Sequence, residues 1–236
     1  MTRRSSRATD GVSKIRAVPR TQPACIAIDG PAASGKSSVS RELAERCGYQ
    51  FLDTGLMYRA FALAATRAGV EPTEEACSRF IAKLELRIGS EREARIYLGE
   101  EDVTALLHDA EIERHVSAYA KLAPVREKLR AQQRTFAELG KTVLAGRDIG
   151  EVVVPNAPLK IYLDADEAAR ARRRNSERGI VQDSSARQAQ EALSRRDRLD
   201  SPQTYVAPDA VVIDTSALTL DEVIARVLEL AACDGD

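Results

Sequence analysis

Apolar positions along the chain follow two rhythms. Short apolar runs bounded by polar or turn residues predict strands at 24–29, 49–53, 142–145, 160–164 and 210–214. Between them, apolar residues recur at helical spacing. Val39, Leu43 and Cys47 share one face after the first strand, and 54–68 forms an apolar helix that stops at Gly69. Gly48 has the position of a C-cap before the second strand. A further helix runs near 166–177, and the box Thr219-x-x-Glu222 opens a closing helix with Val223, Val227 and Leu230 on its inner face. Alternation of strand and helix predicts an α/β fold, a parallel sheet flanked by helices and joined by right-handed crossovers.

The alternation lapses between 72 and 139. Thr73 caps a helix with Glu74 and Glu75 in its first turn, and two alternating runs, 84–88 and 94–98, flank a polar turn at Gly89. This reads as a small antiparallel insertion. Helices follow at 110–121 and 124–139, the second opened by Pro124 and ended by Gly140.

Composition then narrows the class. The 236 residues carry 35 Lys and Arg against 36 Asp and Glu, a net charge of −1, so no overall field selects nucleic acid or membrane as partner. No apolar run reaches the roughly 20 residues of a membrane span, and no secretory signal opens the chain, so a cytoplasmic location is expected. Cys25, Cys47, Cys77 and Cys233 lie far apart, without Cys-x-x-Cys or clustered His. Their spacing indicates neither zinc nor a disulfide framework, and reduced, partly buried thiols are expected. Residues 1–22 carry six Lys or Arg against Asp10 and read as a mobile basic tail.

Chemistry first shows at the end of the first strand. Gly30-Pro31-Ala32-Ala33-Ser34-Gly35-Lys36-Ser37, followed by Ser38 and a helix, is a G-x-x-x-x-G-K-S phosphate loop in the strand-to-helix context that it requires. The glycines let successive N–H groups turn inward, and the helix N-terminus adds positive potential toward the same anion. Lys36 is placed to reach β- and γ-phosphates, and Ser37 offers its hydroxyl to Mg2+. A nucleoside triphosphate is the expected ligand. Asp53, Thr54 and Arg59 fall at the carboxyl end of a second strand, where open α/β sheets bind ligands, and Gly146-Arg147-Asp148-Ile149-Gly150 ends a third. Asp29, Asp53 and Asp148 are each candidates to orient a metal-bound water.

Four blocks together resemble the bacterial cytidylate kinase family: Ile-Asp-Gly-Pro-x-x-x-Gly-Lys at 28–36, Leu-Asp-Thr-Gly-x-x-Tyr-Arg at 52–59, Gly-Arg-Asp-Ile-Gly at 146–150, and Arg-Arg-Asp-x-x-Asp-Ser at 195–201. The resemblance covers the chain from about residue 23 onward. It implies a P-loop kinase domain over 23–236, with a core at 23–72, 141–168 and 205–236, a monophosphate-binding insertion at 73–140 and an Arg-rich lid at 169–204. The implied reaction is transfer of the γ-phosphoryl group from ATP, with Mg2+, to CMP or dCMP. Lys36, Arg59, Arg147 and Arg196 would carry it. ATP would lie on Gly30, Pro31, Ala32, Ala33, Ser34, Gly35, Lys36, Ser37 and Ser38, with Arg173 or Arg174 neutralising the moving group. On the acceptor side stand Thr54, Arg59 and Arg147; by similarity Ser117, Arg126 and Asp148 read the cytosine edge, while Arg196 and Asp200 hold the ribose. Where the family has an Arg on the CMP phosphate, this chain has the neutral Gln203. A monomer without nucleic-acid or membrane partners is implied.

Other readings share some of these features. A kinase of the same architecture could take UMP, AMP or a hydroxy acid as acceptor. A nucleotide-switched RNA-binding protein could use the lid, where nine Arg oppose four acidic residues between 170 and 198. Against the latter, the chain has no Asn-Lys-x-Asp motif, 4% aromatic residues and no Trp, which leaves few stacking platforms for bases.

Overall fold

The computed structural model describes residues 22–177 and 204–233. Its centre is a parallel sheet of β1 (Cys25–Asp29), β2 (Gln50–Asp53), β6 (Thr142–Gly146), β7 (Leu159–Asp164) and β8 (Val211–Asp214), in the order β2-β6-β1-β7-β8. Along β1 the side chains alternate between two apolar layers. Cys25 and Ala27 pack toward one, and Ile26 and Ile28 toward the other, which is why the strand reads as continuously apolar.

One layer is covered by α1 (Lys36–Cys47) and α7 (Leu220–Ala231). The other is covered by α2 (Thr54–Arg67), α3 (Glu74–Ile81), α4 (Ala110–Ala120) and α5 (Ala123–Ala137). The local signals act as expected: Gly48 closes α1 at φ 68°, Thr73 caps α3, and the Thr219–Glu222 box opens α7 with both of its hydrogen bonds formed. On α7 the buried face is Val223, Ile224, Val227, Leu228 and Ala231, so Leu230 lies at its half-buried edge and is not one of its central residues.

The insertion is a three-stranded antiparallel sheet, β3 (Leu86–Ile88), β4 (Ile96–Leu98) and β5 (Glu101–Asp102). The two expected strands pair with Leu86 opposite Leu98 and Ile88 opposite Ile96; the third is only two residues long and gives no periodic signal. Residues 92–94 run along the outer edge of β2, where Phe51 N donates to Arg92 O and Ala94 N to Phe51 O, which closes that sheet edge.

The cysteines depart from expectation. Cys47 and Cys233 form a disulfide across a sequence separation of 186 residues, while Cys25 and Cys77 are free and buried. The reason is tertiary: Cys47 ends α1, Cys233 follows α7, and these two helices pack side by side on one face of the sheet. Sequence distance says nothing of that meeting.

Candidate active site

The tips of three adjacent strands stand level, because the registers pair Asp29 with Gly146 and Asp53 with Ala145. From β1 the chain enters the phosphate loop. Gly30 has φ 152°, and a Cβ there would lie 2.2 Å from the Leu163 carbonyl oxygen, so the loop passes β7 with no room for a side chain. Gly35, in the left-handed region at φ 95°, turns the chain into α1 without a side-chain cap, so the first N–H groups of the helix are left for a ligand. Lys36 Nζ donates to Pro31 O at 2.6 Å, folded back across its own loop. Ser37 Oγ donates to Asp53 Oδ2 at 2.6 Å, and Asp53 Oδ1 accepts from Gly55 N as the cap of α2.

Asp29 braces the loop from beneath. Its two carboxylate oxygens accept from Ile149 N at 2.8 Å and Gly150 N at 2.7 Å, which draws the segment after β6 into a wide helical turn at Ile149–Val153. Burial, the largest influence, pushes the Asp29 carboxyl up to about 6; the two N–H donors and Lys36 oppose the rise, and Asp148 adds to it. The phosphate loop and the Gly146-Arg147-Asp148 segment are therefore joined through one buried carboxylate.

The second half of the site is built from side chains of separate elements. Asp148 Oδ2 accepts from Arg126 Nη2 at 2.6 Å and from Arg130 Nη2 at 2.5 Å. Arg126 also donates Nη1 to Ala120 O and lies over the Tyr58 ring. Arg59 donates to Leu107 O at 3.0 Å and faces Glu113 at 4.0 Å, and Arg174 of α6 (Glu167–Glu177) pairs with the same Glu113 oxygen. Thr54 Oγ1 is tied to Ala145 O at 2.8 Å, which fixes the start of α2 to β6.

One cleft of about 410 Å³ joins the two halves. It is lined by Ala32, Ala33, Gly35, Lys36, Ser37 and Ser38 on one side and by Thr54, Arg59, Ser117, Arg126, Arg147 and Asp148 on the other, with Arg174 at its edge. The two lid arginines separate here. Arg174 lines the cleft, whereas Arg173 donates to Thr215 O, Thr215 Oγ1 and Ser34 O behind the loop. Arg196, Asp200 and Gln203 lie outside the described residues, as do the basic tail and most of the lid.

Three residues enter the site without having been singled out from the sequence. Arg130 stands one turn from Arg126, an i,i+4 spacing that was legible had its shared partner been known. Glu113 counters Arg59 and Arg174. Arg170 donates to Ala32 O at 3.3 Å and braces the loop.

A G-x-x-x-x-G-K-S loop at the tip of a central parallel strand, opening into an arginine-lined cleft, is the architecture of a P-loop kinase. The sequence model of one family, Cytidylate kinase, matches residues 26–232. Among curated relatives, the cytidylate kinase of Chloroflexus aggregans is 43% identical over 213 residues, covering 87% of this chain and 93% of that protein. That of Mycobacterium leprae is 44% identical over 214 residues, covering 87% and 94%. That of Geobacillus thermodenitrificans is 41% identical over 215 residues, covering 87% and 95%. The chain belongs to the cytidylate kinase family and is a nucleoside monophosphate kinase.

Proposed function

We infer that the chain transfers the γ-phosphoryl group of ATP to CMP or dCMP, giving ADP and CDP or dCDP. The observation that carries this reading is the shared cleft, with Lys36 and Ser37 on one wall and Arg59, Arg126, Arg147 and Asp148 on the other. Phosphoryl transfer asks a protein chiefly for positioning and charge neutralisation, and both walls supply these. Main-chain N–H groups of the loop at 30–38, other than Pro31, which has none, hold the triphosphate. Lys36 exchanges the neutral Pro31 carbonyl for phosphate oxygens, a stronger charge-assisted partner. Arg59 and Arg147 fork onto the acceptor phosphate, and Arg174 shields the migrating group from the lid side.

The base is recognised by complementary polarity. The Asp148 carboxylate accepts from the cytosine amino group, Arg126 donates to the ring carbonyl, and Ser117 supplies a third hydrogen bond. Arg196 and Asp200 hold the ribose, and Gln203 contributes a neutral donor at the acceptor phosphate.

Ser37 and Asp53 are suited to hold hydrated Mg2+, because their hard oxygens lie together at the cleft wall. The other two candidate aspartates are engaged elsewhere: Asp29 with two backbone N–H groups and Asp148 with two arginines. When bound, Mg2+ neutralises charge on the β- and γ-phosphates. The division into core, insertion 73–140 and lid 169–204, a monomeric state and a cytoplasmic location belong to the same reading. Among the described residues, no helix is long and apolar enough to cross a membrane.

A coupled ATP assay across CMP, dCMP, UMP, AMP and shikimate tests the proposal. CMP and dCMP are expected to give the highest kcat/KM. Strong turnover of AMP or shikimate with none of CMP would refute it.

A further inference from the structure

We propose that Arg130 is a positioning residue for base selection: it fixes the Asp148 carboxylate so that a cytosine acceptor is taken and a uracil acceptor is refused. This rests on the reading above that Asp148 meets the exocyclic amino group. Arg126 and Arg130 share one face of α5, and their Nη2 atoms converge on the same atom, Asp148 Oδ2. Among the described residues, no hydrogen bond falls on Asp148 Oδ1, while the residue lines the cleft. Concentrating both cations on one oxygen reserves the other as an acceptor.

The two arginines are not equivalent. Arg126 lines the cleft beside Ser117 and is the one that turns an N–H toward the ring carbonyl of the base. Arg130 stands behind Asp148, outside the cleft lining, with its side chain 21% exposed. When Arg126 engages the base, Arg130 is the cation that keeps hold of Oδ2. A carboxylate only 5% exposed needs that partner, since a buried charge left without one is costly and loses its fixed orientation.

The placement of that carboxylate matters to selectivity. Cytosine presents an amino donor where uracil presents a carbonyl acceptor. The Asp148 carboxylate, held by its arginines with Oδ1 turned to the cleft, accepts from the first and repels the second. The charged or titratable groups facing Asp148 are Arg126 and Arg130 from α5, Asp29 from β1 and Tyr58 from α2.

The test is steady-state kinetics of the full chain with CMP and UMP, for wild type, Arg130→Met and Arg130→Lys, alongside thermal melting. Arg130→Met is expected to raise the KM for CMP about tenfold, consistent with one weakened charged hydrogen bond. Its kcat is expected to change by less than about threefold, and the CMP/UMP ratio of kcat/KM to narrow about tenfold. Arg130→Lys recovers most of the selectivity because it keeps the charge. A variant that melts lower but keeps the CMP/UMP ratio would overturn the proposal and leave Arg130 a structural residue. Should Arg130→Met not fold, Arg130→Gln against Arg130→Lys makes the same comparison of neutral with charged. A wild type without preference for CMP over UMP would instead refute the reading of base recognition, and that result appears before any variant is made.

Discussion

In the proposed reaction the two walls of the cleft take up anions by different means. The phosphate loop is contiguous in sequence and relies on main-chain N–H groups, with one lysine folded over it. The proposed acceptor pocket is assembled from α2, α4, α5, α6 and the tip of β6, and Arg59, Arg126, Arg130 and Arg174 are already paired with Asp148, Glu113 or backbone carbonyls. A loop of backbone donors has its geometry set by local conformation and discriminates little among triphosphates. A pocket of paired side chains discriminates strongly, but it must exchange resident partners for ligand. Under the proposed function, chemistry and choice of substrate therefore rest on different walls.

Substitutions on each wall sharpen this contrast. Lys36→Met is expected to lower kcat by about 10²–10³-fold, as when one preorganised donor to a developing charge is removed, and to leave the melting temperature nearly unchanged. An equal loss with every acceptor in a stopped-flow or coupled assay would locate the defect on the loop. A loss confined to CMP would break the contrast.

Asp29 joins the walls, and its effect is read through pH. Its carboxyl rises from 3.8 to about 6 on folding, so the fold favours the neutral form. The stability it contributes is complete below the unfolded value and is lost as pH rises through about 6. Denaturant titrations should show wild type losing about 2 to 3 kcal/mol relative to Asp29→Asn between about pH 4 and pH 7. A difference that stays flat across that window would mean the carboxyl is not buried at the joint.

The smallest of the three effects is on the acceptor wall. Asp148→Asn is expected to lower kcat/KM for CMP by about 10–100-fold, the value of a hydrogen bond to a charged group, with the KM for ATP unchanged. If the KM for ATP rises equally, the walls are not separable.

Legibility in the sequence follows the same division. The five strands of the parallel sheet, the capping residues Gly48, Thr73 and Thr219, and the turn from β1 through Gly30 and Gly35 into α1 depend on neighbours within a few residues, and the structure places them where the sequence puts them. What depends on distant partners is not. The turn at Ile149–Val153 exists because Asp29, 120 positions away, captures its N–H groups. The Cys47–Cys233 disulfide depends on the meeting of α1 and α7. Arg130 and Glu113 look like solvated helix positions until Asp148, Arg59 and Arg174 are brought against them. Asp29, Asp53 and Asp148 are equal candidates in sequence, and only their hydrogen-bond partners tell them apart.

The most direct measurement is a crystal structure of the full chain with CMP and a non-transferable ATP analogue. The account predicts the acceptor phosphate within hydrogen-bond reach of Arg59 and Arg147, turned toward the γ-position over Lys36, with the cytosine amino group on Asp148. CMP bound with its phosphate away from those guanidinium groups, or with its base outside the α4–α5 pocket, would contradict it.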